Sequence, residues 1–247
     1  MTASRPMLPP VEAILTTRIL LVEDHPAVRV GVRALIDEQP DMTVVVEAES
    51  AEQALGRLSR CDDENDVDVA VVDYQLGAGR DGLALTVELK RRERPPRVLV
   101  YSAFADLALV APAIVAGADG LLRKDTLAEE LCTAIRRVAS GRPYLPAVTR
   151  SVAHAMAMGL ESDDRAIFAM LIHGRRADRV AERLGLTAEE LADRRARILR
   201  SLRRAPRAPS PGRMRRSTTN APSDRGDARE HDPRSVVRAG RAANGPS

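Results

Sequence analysis

The chain has 247 residues, 44% hydrophobic and 30% charged, enough for one sizeable core and a smaller second one. Only five side chains are aromatic (Tyr74, Tyr101, Phe104, Tyr144 and Phe168), which excludes nucleic-acid recognition built on rows of stacked rings. The formal charge of +3 is uneven: residues 203–247 carry 11 Arg against 4 acidic side chains, net +7, so residues 1–202 carry −4.

Residues 1–17 lack the basic-then-apolar order of a secretory signal and are expected to be a flexible extension. From 18 to 142, short apolar runs alternate with helical periodicity: ILLV (19–22), TVVV (43–46), VDVAVV (67–72), RVLVYS (97–102) and GLL (120–122). Near-continuous apolar strands are buried on both faces, so the pattern predicts an α/β fold, a doubly wound five-stranded parallel sheet between helices. Leu107–Ala118 is the longest uncharged stretch, 12 residues with a proline, short of the ~20 a membrane span needs. No membrane partner is expected. Cys61 and Cys132 lack any CxxC or paired-histidine spacing, so both read as structural or incidental in a reducing cytoplasm.

In a doubly wound sheet the ligand lies beyond the carboxyl ends of the strands. There the sequence places Glu23 and Asp24 after the first run, Asp73 after the third, Ser102 at the end of the fourth and Lys124 two residues past the fifth. Three carboxylates in one crevice repel one another unless a cation neutralises them, and oxygen ligands suit Mg²⁺ better than zinc. With Mg²⁺ bound, one aspartate becomes a nucleophile toward phosphorus and a lysine balances the phosphoryl oxygens. The expected product is an aspartyl phosphate, with the Ser102 hydroxyl bonding a phosphoryl oxygen.

The segments ILLVEDH, VAVVDYQL, LVYSA and GADGLLRKD, in this order at strand ends, resemble the CheY-like response-regulator receiver family over residues 18–142. The resemblance implies Asp73 as phosphoacceptor, Glu23 and Asp24 with Asp73 as Mg²⁺ ligands joined by the Gln75 carbonyl, and Ser102 and Lys124 as phosphate contacts. It also implies a sensor histidine kinase as phosphodonor and homodimerisation on phosphorylation. Leu121 stands where the family usually has an aromatic switch residue, and Phe104 is a candidate shield for the phosphoaspartate.

Residues 143–159, with turn prolines and a weakly apolar helix, read as a linker. Residues 160–202 read as helix, Gly174 break, helix, Gly185 turn, helix. The segment ADRVAERLGLTAEELADRRARIL resembles the LuxR/NarL-type helix-turn-helix output domain, implying a third helix that enters the DNA major groove. Ala192, Asp193 and Ala196 stand where groove contacts are expected, a degenerate version of that helix, leaving Arg175, Arg176, Arg179, Arg194, Arg195 and Arg197 as candidate phosphate contacts. Residues 203–247, rich in Arg, Pro, Ser and Gly, are expected to be a disordered basic tail. Together these features predict a non-enzymatic, cytoplasmic response regulator binding double-stranded promoter DNA. The alternative is a phosphorylation-dependent protein-interaction regulator whose helix-turn-helix reads no specific DNA.

Overall fold

A computed structural model describes residues 16–60, 67–77, 79–103 and 107–204. The expectations for most of the N-terminal extension, for Cys61, for Phe104 and for nearly all of the basic tail lie outside the described residues.

Five parallel strands form one sheet in the order β2-β1-β3-β4-β5. They are β1 (Thr17–Val22), β2 (Met42–Ala48), β3 (Val69–Asp73), β4 (Arg97–Ser102) and β5 (Gly120–Arg123). The inner strand β3 is buried at every residue, whereas β2, at an edge, alternates buried and half-buried residues. The difference follows position, since an edge strand is only partly covered. The connecting helices are α1 (Pro26–Asp37), α2 (Ala51–Leu58), α3 (Gly82–Leu89) and α4 (Leu107–Ala116), with α5 (Ala128–Ala139) after β5. Proline opens α1 at a position where a missing N–H costs nothing. Ser50 caps α2 by accepting from Gln53 N, and Asp81 caps α3 by accepting from Ala84 N at 2.9 Å.

One face of the sheet packs on α1 and α5 through Ile19, Leu21, Val71, Leu99, Ile36 and Ile135. The other face packs on the remaining receiver helices. Each fully buried aliphatic side chain contributes about 1.5–3 kcal/mol.

Past β5, Tyr144 bridges to Gly120, and the chain continues as α6 (Arg150–Met158), α7 (Ser162–Ile172), α8 (Ala177–Leu184) and α9 (Ala188–Arg204). Gly185 ends α8 in the left-handed conformation that a tight turn requires. These helices share a core with the sheet domain: Phe168, Leu171, Leu191, Ile198 and Leu199 belong to the same apolar cluster as Leu85, Leu109, Val110 and Ala113. The sequence explains why. Helix α4 (LALVAPAIVA) has no polar face, and a helix apolar all round needs cover on its outer side as well.

Candidate functional site

The loops at the carboxyl ends of β1, β3, β4 and β5 bring the charged residues together. Strand β1 ends at Val22, so Glu23 and Asp24 emerge where the chain leaves the sheet; the Glu23 N–H still donates to Ala48 O on β2. Asp73 closes β3 beside Tyr101 of β4, and Lys124 is fixed by its N–H donating to Ser102 O at 2.9 Å. Glu23, Asp73 and Ser102 are all buried.

Lys124 Nζ lies 2.6 Å from Glu23 Oε2 and 2.9 Å from Asp73 Oδ2, bridging the two carboxylates. The other Asp73 oxygen accepts the Gln75 N–H at 3.2 Å. Burial pushes the Asp73 carboxyl above its ordinary range, the Lys124 hydrogen bond pulls it down, and the charge of Glu23 pushes it up again. For Lys124, burial opposes the charge, but the hydrogen bonds it donates to Asp73 and Glu23 prevail and its pKa is raised. One ammonium thus faces two buried carboxylates, with the Asp24 carboxylate close beside them.

Oxygens of Glu23, Asp24 and Asp73 and a nitrogen of His25 lie within 4.8 Å of one another. Asp24 Oδ2 accepts the Gly77 N–H at 3.0 Å, while Asp24 Oδ1 is buried and takes no hydrogen bond. His25 Nδ1 lies 2.8 Å from that oxygen without hydrogen-bond geometry. An orphaned carboxylate oxygen among oxygen donors, with excess negative charge, fits a hard divalent cation such as Mg²⁺.

The six candidate DNA-contact arginines do not form one surface. Arg175, Arg176 and Arg179 are exposed around the start of α8, the last two pairing with Asp178 and Glu182. Arg197 gives two 2.8 Å hydrogen bonds to the buried Asp164 of α7, and Arg194 lies 3.6 Å from the same carboxylate. Arg195 corrects the expectation outright: it is only 5% exposed, and its Nε donates to Val115 O near the end of α4 at 2.6 Å. Ala192 is buried too, against the layer shared with α4, whereas Asp193 stays exposed. The reason is steric as much as electrostatic. Gly117, with φ +90°, leaves the space for Arg195, since a Cβ there would stand 2.1 Å from Arg195 Nη2.

Residues 19–136 match the response regulator receiver domain family. The DNA-binding transcriptional activator DevR/DosR of Mycobacterium tuberculosis (strain ATCC 25618 / H37Rv) is 30% identical over 197 residues, 75% of this chain and 88% of DevR/DosR. The chain belongs to the response-regulator family. The transcriptional regulatory protein LiaR of Bacillus subtilis (strain 168) is 35% identical over 128 residues, 52% of this chain and 58% of LiaR, so the chain spans little more than half of that relative. A two-component response regulator of the LuxR family from Aurantimonas sp. SI85-9A1, known from its crystal structure, is 35% identical, with 57% of this chain and 97% of that one covered and a TM-score of 0.49.

Several residues of this response regulator's site carried no signal in the sequence. Arg29 of α1 donates to the Glu23 carbonyl at 2.7 Å. Gly82 lets α3 approach the end of β3, because a Cβ at this position would lie 2.1 Å from Asp73 O. Asp81, besides capping α3, pairs with Arg203 near the end of α9 at 2.5 Å. The Lys124 ammonium stands 5.9 Å above the ring of Tyr101, while Leu121 is buried in the layer shared with α4. Among the described residues, no helix is long and apolar enough to cross a membrane.

Proposed function

We propose that this regulator is phosphorylated on Asp73 by a sensor histidine kinase and that phosphorylation controls binding of its output helices, as a dimer, to promoter DNA. The observation that carries the reading is the Lys124 bridge between Glu23 and Asp73 at the strand ends, beside the orphaned Asp24 oxygen.

Asp73 supplies a carboxylate oxygen to the phosphorus of a phosphohistidine; the P–O bond forms as the P–N bond breaks. Glu23, Asp24 and Asp73, with the Gln75 carbonyl, would hold Mg²⁺, which when bound neutralises charge on the phosphoryl oxygens. Lys124 now bonds the Asp73 carboxylate and must pass to a phosphoryl oxygen as the acyl phosphate forms. Ser102, at the end of β4, offers a hydroxyl to another phosphoryl oxygen.

The described arrangement fits the unphosphorylated form, with α9 held against α3 and α4. Two contacts support a link from the site to α9: Gly82 lies against Asp73, and its neighbour Asp81 pairs with Arg203. Added charge at Asp73 would shift an existing equilibrium between docked and released output helices.

Incubation with Mg²⁺ and acetyl phosphate should add one phosphoryl group to the wild type by intact mass and none to Asp73→Asn. A modified Asn variant would refute the nucleophile assignment. Gel shifts on genomic fragments, with and without residues 203–247, test the output. Sequence-independent binding that vanishes with the tail would favour a protein-interaction role instead.

A further inference from the structure

We infer that Arg29 is a positioning residue for the divalent cation: it holds the Glu23–Asp24 peptide where the two carboxylates meet Asp73. The inference rests on reading the acidic cluster as a cation site.

Strand β1 ends at Val22, and among the described residues no backbone N–H is seen to donate to the Glu23 carbonyl. Arg29, in the first turn of α1, reaches back and donates Nη1 to that oxygen at 2.7 Å, while the Glu23 N–H is held by Ala48 O at 3.0 Å. The Glu23 peptide is therefore gripped on both sides. Arg29 is in turn oriented by β2 and the residue beyond it: Nε lies 3.8 Å from Glu47 Oε2, and Nη2 lies 3.8 Å from Glu49 Oε2. Its side chain is only 19% exposed, so the guanidinium is confined. A carboxylate pair on a free loop would lose ordering entropy each time it gathered around a cation, and outer partners that hold ligands in place are worth about 10–100-fold in metal affinity. Nothing in the acidic cluster itself fixes the Glu23 carbonyl; Arg29 does.

A neighbour on the same helix provides the control. Arg33 also pairs with Glu47, and with Asp37 at 3.1 Å, so its guanidinium is turned to these two carboxylates and not to the Glu23 carbonyl.

The test is calorimetric titration of the full chain with Mg²⁺ alone, alongside urea midpoints measured in EDTA. Arg29→Ala should weaken Mg²⁺ binding about tenfold, Arg29→Lys should recover most of the loss, and Arg33→Ala should bind as the wild type. If Arg29→Ala does not fold, Arg29→Gln replaces it with the same expected weakening. A wild type that takes up no Mg²⁺ overturns the cation-site reading and the inference with it. A wild type that binds while Arg29→Ala binds equally well overturns the positioning role alone. Equal loss in Arg33→Ala also overturns it, because the effect would then belong to the α1–β2 ion pairs.

Discussion

Arg195 is the most telling side chain to replace, because its surroundings predict a small effect where its burial suggests a large one. Burial pushes its guanidinium well below the usual arginine range, to about 10. At about 1.4 kcal/mol per unit, holding the charge there costs roughly 3 kcal/mol, at every pH below about 10 and easing only above it. Against this stands one charge-assisted hydrogen bond to Val115 O, about 1.5–3 kcal/mol, and a cation at the end of α4, about 0.3–1 kcal/mol. The two sides nearly cancel. Arg195→Met keeps the apolar stem and should change the unfolding free energy by less than about 1 kcal/mol, measured by urea denaturation followed by circular dichroism at neutral pH. Asp164→Ala is the contrast: it removes the carboxylate that accepts both Arg197 hydrogen bonds and lies near Arg194, and should cost about 3 kcal/mol. A loss of 3 kcal/mol or more in Arg195→Met would refute the balance and make the guanidinium the main tie between α9 and α4.

Lys124→Met leaves Glu23 and Asp73 facing each other without their bridging ammonium, so the metal-free fold should lose about 3 kcal/mol and recover part of it in Mg²⁺, read from thermal unfolding with EDTA and with Mg²⁺. Gly82→Ala puts a methyl group 2.1 Å from Asp73 O; about 1–3 kcal/mol of stability and much of the acetyl-phosphate labelling should disappear, and labelling at the wild-type rate would show that α3 can withdraw freely. The raised Asp73 carboxyl gives a pH dependence of definite sign. Its protonated form is favoured by the fold, so that contribution to stability is complete below 3.8 and is lost as pH climbs through the raised value. Mg²⁺ takes the anion, so its stabilising effect on the melting temperature should grow over the same interval; a cation effect flat with pH would contradict the assignment.

The sheet and its site were legible because both depend on local patterns. Runs such as VAVVD declare a strand buried on both faces, and in a parallel sheet the strand ends must share one edge, so Glu23, Asp73, Ser102 and Lys124 could be grouped from their positions alone. Strand β1 begins at Thr17, two residues before the apolar run 19–22, and the Thr17 N–H still donates to Asp41 O. The arginines of the last two helices and the turn before them were not legible in the same way. Exposed and docked arginines look identical in a sequence, and Arg195, Arg197 and Arg175 differ only in what the chain brings near them: Val115 O from 80 residues away, Asp164 from 33, and solvent.

What the sequence determined by itself is the order of strands and helices, the acidic edge and the glycine turns of the output helices, all set by residue type and short-range periodicity. Tertiary structure alone decided that α9 lies on α3 and α4, that Arg195 is buried there, and that Arg29 grips the Glu23 carbonyl. The clue to the first was present in the unbroken apolar surface of α4, but an apolar face says only that something must cover it. Which segment does so depends on how distant surfaces fit, and that complementarity exists only once the chain has folded.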